Sequence, residues 1–259
     1  MRVFDFNSAI VRTPGKSVVN GLRAHSGPAP VFETIVAEHQ SYIAALRGAG
    51  LEVTVLDALE QFPDSIFVED PALVFGQAAV LLRPGAPSRM AEAQELVSTL
   101  EARFPEVLNL RDGFADGGDI LVTPAGVLIG LSARTNEAGA ADLNRLLESI
   151  GIVSKAVNVP RGTLHLKTDC SLVDEETILT TAGLANTGLF EGFRTLVVPG
   201  EERHATNAVR VNDVVFIRAG CPRTQELLQE HGLEVLPLPV SEIAKIDAGL
   251  SCMSLRWLA

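Results

Sequence analysis

Cysteine is scarce in this chain: three residues, Cys170, Cys221 and Cys252, odd in number and far apart. That pattern suits neither a disulfide framework nor a CxxC zinc site, so reduced thiols are expected. No cluster of five or more Lys/Arg occurs, and 32 acidic against 21 basic residues leave a formal charge of −11. Such a surplus repels phosphate backbones and anionic lipid, so nucleic acid and membrane surfaces are not expected partners. No apolar run approaches the ~18 residues a membrane span needs, and the opening MRVFDFNSAIVRTPG lacks a basic-then-apolar leader, which makes a cytoplasmic location the expectation. Phosphate-cradling glycines are also missing. DGGD runs into a strand, and Arg47-Gly48-Ala49-Gly50 closes a helix, so neither a Rossmann nor a P-loop signature is present. Without HxH, HExxH or CxxC spacing no metal site is expected.

What is present is a repeat. Short apolar strands alternate with helix-period stretches along 259 residues that are 47% hydrophobic, with no linker or low-complexity tract. The first strand is expected at Arg2–Val11, then a long Gly/Pro/Ser-rich mobile loop, Thr13–Pro30, then a helix at about Val31–Ala49 and the strand LEVTVL. Beyond it, three blocks each open with an acidic turn, pass through two β-runs and enter a helix: VEDPALVFGQAAVLLRPGAPSRMAEAQELVSTL, GGDILVTPAGVLIGLSARTNEAGAADLNRLLESI and KTDCSLVDEETILTTAGLANTGLFEGF. Asp70, Asp119 and Asp169 hold one place in these blocks, 49 and 50 residues apart, and Asn207 holds it in a shorter fourth copy. With the N-terminal strand-helix-strand as an altered fifth unit, the period implies β-β-α-β units that bury apolar faces only against neighbours. The expected fold is a single α/β domain over residues 1–259, a five-bladed pseudosymmetric propeller; two α/β domains are the competing architecture.

A radial arrangement points the unit openings at a common axis, and several reactive side chains belong to those openings. Cys252, in AGLSCMSL, is the type of residue that usually packs as a structural thiol, but His165, in TLHLKTDC, would face the same axis. A Cys, a His and a carboxylate joined by the fold can activate a thiolate and protonate a leaving group. The carboxylate candidate is Asp116 in DGGDI, where glycines allow close backbone approach; a simple turn is the alternative. Asp64, Glu69 and Asp70 surround the strand IFV, and like charges held together need a cation; a planar guanidinium satisfies several at once, whereas solvated turn acids would need none. Arg89 and Arg134 recur in register before successive helices, where they can hold an anion or lie solvated on the surface.

The motifs FPDSIFVEDP, RPGAPSR, DGGDI, GLSARTN, LHLKTD and KIDAGLSCMSL, in this order, resemble the dimethylarginine dimethylaminohydrolases, members of the guanidine-modifying pentein superfamily with a five-bladed α/β propeller. The similarity runs from SVVNGL to the end. It implies hydrolysis of Nω-methylated arginines, asymmetric dimethylarginine and the monomethyl form, to citrulline and dimethylamine or methylamine, with no metal or organic cofactor. By motif, Cys252 is the implied nucleophile, His165 the acid/base and Asp116 the supporting carboxylate. Leu22 and Ile246 match positions whose backbone carbonyls hold substrate, Asp64, Glu69 and Asp70 match the acidic side of the pocket, and Arg89 and Arg134 match substrate-carboxylate ligands. Some family members carry Glu at the place of Asp116, so reach to substrate or to His165 differs by one methylene. The implied partner is a small cationic guanidine, and a homodimer is a compatible assembly. Two other activities share much of this pattern: an arginine deiminase-like hydrolase, and a non-catalytic pentein binding protein such as a ribosome anti-association factor.

Overall fold

The computed structural model describes residues 2–24 and 27–259. His25 and Ser26, within the Thr13–Pro30 loop, lie outside them.

In chain order the elements are β1 (Ser8–Arg12), α1 (Phe32–Gly48), β2 (Glu52–Leu56), β3 (Ala72–Phe75), β4 (Ala78–Leu81), α2 (Val97–Glu101), β5 (Glu106–Asn109), β6 (Ile120–Thr123), β7 (Gly126–Leu131), α3 (Glu137–Ser149) and β8 (Ser154–Asn158). They continue with β9 (Cys170–Leu172), β10 (Thr177–Thr180), α4 (Ala182–Ala185), β11 (Arg194–Val197), β12 (Val209–Val211), β13 (Val214–Arg218), α5 (Pro222–Glu230), β14 (Glu234–Leu238) and β15 (Leu255–Trp257). They form five three-stranded sheets. In four of them, an antiparallel hairpin is extended by a parallel strand reached through a helical crossover. The first blade takes its inner strand from the far end of the chain: β15 pairs antiparallel with β1, Ser8 opposite Trp257, while β1 pairs parallel with β2. That pairing closes the five-bladed α/β propeller and accounts for the altered look of the N-terminal unit.

The apolar packing explains why the central strands read as unbroken hydrophobic runs. Five buried clusters lie between successive blades. One joins Leu73 and Val80 to Ile129 and Leu143, another joins Val173 and Leu179 to Val215 and Leu228, and one joins Ala9 and Tyr42 back to Val211 and Phe216. Each sheet therefore serves two cores, so both faces of β4, β7, β10 and β13 are apolar, as a strand buried on both sides requires.

Two N-terminal expectations are corrected. The first strand starts at Ser8 rather than Arg2, because Asp5 turns the chain by accepting from the Arg2 backbone N–H and Nε, and the Phe6 N–H is taken by the Asn212 side chain instead of a strand partner. The loop after β1 contains a 3-10 turn, Lys16–Asn20, whose entry is pinned by both Glu60 carboxylate oxygens on the Lys16 and Ser17 N–H groups.

α1 also carries a buried histidine. His39 is 2% exposed, its Nε2 has no partner, and burial pushes its pKa down to about 4. The unfolded chain binds this proton near 6.5 and the folded chain only near 4, so stability is full above pH 6.5 and falls as pH drops to 4. The loss amounts to about 3 kcal/mol. Urea midpoints of the parent measured between pH 7 and 4 are expected to fall more steeply than those of His39→Leu; parallel curves would contradict this.

Candidate active site

The unit openings converge as expected, but their side chains divide the work. Asp119 is spent on the fold: its carboxylate accepts from the Ser132 and Thr135 hydroxyls and from the Leu166 N–H of the next blade, at 2.6–2.8 Å. Asp169 holds Arg203 and Thr163. Asn207 braces the nucleophile loop, accepting from the Ser251 N–H at 3.0 Å and donating to the Lys167 carbonyl at 2.9 Å. A Cβ on Gly249 would stand 2.4 Å from Asn207 Oδ1, so only glycine fits there. Cys252 follows in the 3-10 turn Ser251–Met253, and its carbonyl accepts from the Glu69 N–H at 3.1 Å.

Asp70 and Glu69 place their negative charges near Cys252. One ligand atom each from Asp70, Asp116 and His165 lie within 4.8 Å of one another, the one such cluster of His, Cys and acids among the described residues. The shorter Asp116 still reaches His165 Nε2, at 3.0 Å, while its other oxygen accepts from the Gly85 N–H at 2.6 Å. The Asp116 backbone is fixed by Thr135, and the preceding loop by Asn136, which caps α3 through Gly139 and also accepts from the Phe114 N–H. Burial works against a charged His165, but Asp116, Asp70 and Asp119 outweigh it and its pKa is raised, so the imidazolium is favoured. Burial and the neighbouring charges of Asp70 and Glu69 push the Cys252 thiol up to about 12. Without a bound cation, Cys252 is a thiol.

The glycines of DGGD have a packing reason. A Cβ on Gly117 would lie 1.9 Å from the Glu69 carbonyl, and one on Gly118 would lie 2.7 Å from the His165 ring. Gly118→Ala is expected to leave the melting temperature near the parent's while cutting kcat about 100-fold, the scale of a misplaced acid/base group. A kcat within a factor of two of the parent would show that the ring accommodates the methyl.

Asp64, Glu69 and Asp70 do not form one wall. Asp64 accepts from the Leu22 N–H at 2.9 Å and so anchors the loop after β1, with burial raising its pKa. Glu69 pairs through Oε1 with Lys167 at 2.6 Å and Arg256 at 3.3 Å. Asp70 alone of the three joins His165 and Asp116. Burial disfavours its charge, yet the Arg89 guanidinium and His165 hold it below the usual carboxylate range. Its Oδ1 is buried with no hydrogen-bond partner.

Arg89 departs from the expected picture. It is 4% exposed and donates to Asp70, to both oxygens of Glu92, and to the carbonyls of Asp64 and Phe67. It is an internal strut for the acidic loop, where the sequence suggested a ligand open to a bound carboxylate. Arg134 is more accessible, with Asp116 3.9 Å from Nη1. Ile246 ends the 3-10 helix Ile243–Ile246, whose start is held by the buried Glu38 carboxylate on the Glu242 and Ile243 N–H groups. Asp247 follows with a positive φ and accepts from the Ala24 N–H, joining this helix to the Leu22 loop. Sequence reasoning missed Lys167 and Arg256. The signal was the unbalanced acids themselves, whose cation was sought only in a ligand.

A buried thiol under the charge of Asp70, an imidazole held by Asp116 in the same carboxylate cluster and a carboxylate oxygen left unpartnered, on a five-bladed α/β propeller, define a cysteine-based hydrolase of the guanidine-modifying type. The comparisons specify it further. The family model described as "N,N dimethylarginine dimethylhydrolase, eukaryotic" matches residues 29–187. The chain is 36% identical to N(G),N(G)-dimethylarginine dimethylaminohydrolase of Pseudomonas aeruginosa, covering 97% of this chain and 100% of that one. To the Streptomyces coelicolor protein of the same name it is 33% identical, with 96% of each covered. A solved structure of the Pseudomonas enzyme, a cysteine-to-serine mutant complexed with citrulline, superposes with a TM-score of 0.94 at 36% identity, covering 98% of this chain and 100% of that one. The chain belongs to the dimethylarginine dimethylaminohydrolase family. No helix among the described residues is long and apolar enough to cross a membrane.

Proposed function

We propose that the protein hydrolyses Nω-methylated arginine, asymmetric dimethylarginine and monomethylarginine, to citrulline and dimethylamine or methylamine. The observation that carries this reading is the unpartnered Asp70 Oδ1, buried beside Asp116 and His165 next to a protonated Cys252. A guanidinium offers that oxygen an N–H donor and supplies the positive charge that two neighbouring carboxylates need. A metal would compete for the oxygen and the imidazole nitrogen that are already hydrogen-bonded to each other at 3.0 Å.

In this reading Asp70 and Asp116 align the guanidinium, and its charge lowers the Cys252 pKa so that the thiolate forms on binding. Sulfur attacks the central carbon to give a tetrahedral adduct. His165, as imidazolium, gives a proton to the departing dimethylamine as the C–N bond breaks, leaving a thiouronium. The neutral imidazole then removes a proton from water, whose oxygen bonds to the same carbon, and cleavage of the C–S bond releases citrulline and the thiol. Asp116 keeps the imidazole oriented through both steps. Arg134 takes the substrate carboxylate, and the carbonyls of Leu22 and Ile246 take its ammonium. Glu69 acts from behind, through Lys167 and Arg256. The loop bearing Leu22 closes the site against bulk water. One domain over residues 1–259, no cofactor and a cytoplasmic setting complete the proposal.

A citrulline colour assay of the purified protein with asymmetric dimethylarginine, monomethylarginine, arginine and agmatine tests it. The methylated arginines are expected to give the highest kcat/KM and agmatine, which lacks the carboxylate, the lowest. Faster turnover of free arginine would make it a deiminase, and no citrulline from any of the four would leave a binding protein.

A further inference from the structure

We propose a second small-molecule site at the end of the propeller axis away from Cys252, shaped for a monocarboxylate carried on a short hydrocarbon body. The active-site side chains lie in the openings that precede the inner strands, and β3, β6, β9, β12 and β15 run away from them along the axis. Residues of all five strands line a cavity of about 370 Å³, and neither Cys252, His165, Asp116 nor Asp70 is among them. That volume lies within the range of small-molecule sites, roughly 300–1,000 Å³.

Charge along this wall runs against that of the chain. Four basic residues line the cavity, Arg2, Lys167, Arg210 and Arg256, against two acids, Asp5 and Glu69, whereas acids outnumber bases by 32 to 21 overall. Three of these cations already have a carboxylate. Arg2 pairs with Asp5 at 2.8 Å and with Asp213 at 3.0 Å, and Lys167 and Arg256 share Glu69 at the inner end. Arg210 has none among the described residues: its Nε and Nη1 donate to the neutral carbonyls of Asn212 and Val173, and its Nη2, which is not sealed from solvent, donates to nothing. The Arg2 and Arg210 guanidiniums both lie over the Phe4 ring, 5.1 Å from its centroid, so Arg210 is held beside a like charge at the cavity wall. Burial and Arg2 both disfavour its charge. A partly desolvated cation next to another cation calls for an anion, and one unanswered cation matches one negative charge. An ammonium would add to the repulsion, and a neutral head would leave it as it is. Phe4, Phe75, Leu121, Leu172 and Trp257 supply apolar walls, against which a short hydrocarbon is buried with gain. This site is independent of the reading of the catalytic centre.

Trp257 is the chain's one tryptophan and lines the cavity, so its emission reports binding there without any turnover. Titration with hexanoate, followed by emission and by calorimetry, is expected to saturate. Hexylammonium is expected to bind at least tenfold more weakly, the scale of one charged hydrogen bond. Arg210→Gln is expected to weaken hexanoate at least tenfold while leaving hexanol binding, and kcat for asymmetric dimethylarginine, near the parent's. Arg210→Lys, which keeps the charge, should recover part of the loss. Excess citrulline should not displace hexanoate, which sets this site apart from Arg134. The proposal fails if neither emission nor heat saturates, if hexylammonium binds as tightly as hexanoate, if Arg210→Gln binds hexanoate like the parent or loses hexanol to the same degree, or if citrulline competes.

Discussion

Arg89→Ala is expected to destabilise the protein by about 3–5 kcal/mol, the range for removing one partner of a buried ion pair. For a chain of this size that is a fall in Tm of roughly 10 °C. The guanidinium holds Asp70 and Glu92 and ties the carbonyls of Asp64 and Phe67, so its loss strands two buried carboxylates and loosens the segment that carries Asp64, Glu69 and Asp70. Arg89→Lys is expected to recover little, because one ammonium cannot donate in a planar fork to carboxylates and carbonyls together. Arg134→Ala is expected to behave oppositely: a Tm close to the parent's and a KM for asymmetric dimethylarginine raised about 10–100-fold, as for a lost charged hydrogen bond. Calorimetry beside steady-state kinetics separates the two arginines. Equal Tm values for Arg89→Ala and the parent would return Arg89 to the role of a simple surface ligand.

The two arginines also mark where sequence and structure part. Register is legible in one dimension: the 49- and 50-residue spacing of Asp70, Asp119 and Asp169 correctly placed them at the mouths of successive inner strands. Direction is not. Arg89 and Arg134 share a register position, yet Glu92, one helical turn after Arg89, draws that guanidinium into the protein, while in the third unit the equivalent residue, Glu137, opens α3 beneath the Asn136 cap. The acids diverge in the same way. Asp119 meets the hydroxyls of Ser132 and Thr135 and is consumed by the fold, whereas Asp70 has no such neighbour for Oδ1 and keeps an oxygen for chemistry. Blade closure was hidden because its pairing, Ser8 with Trp257, joins residues at the two ends of the chain, and no local periodicity records it. Lys167 was visible within LHLKTD, but its contact with Glu69 crosses between blades and exists only once the ring is formed.

Asp70→Asn is expected to move two rates in opposite directions. Citrulline formation from asymmetric dimethylarginine should fall about 10³-fold in kcat/KM, since a desolvated carboxylate facing a guanidinium is replaced by a neutral amide, a loss of roughly 4 kcal/mol. Alkylation of Cys252 by iodoacetamide in the free enzyme should rise. Burial is the main cause of the high thiol pKa and persists in the variant, but Asp70 is the next cause and its charge is gone, so the thiolate fraction at a given pH increases tenfold for each unit the pKa falls. Asparagine keeps the shape and can still accept from Arg89, which also keeps Glu92, and a Tm measured beside the two rates separates loss of fold from loss of the charge. In the parent, a guanidinium ligand too large to react should mimic the same shift, because its charge offsets that of Asp70 at the sulfur. A variant that loses both activities together would make Asp70 a structural residue, and one that keeps both would remove it from the site. Only opposite signs fit a carboxylate that keeps the nucleophile protonated until the substrate arrives.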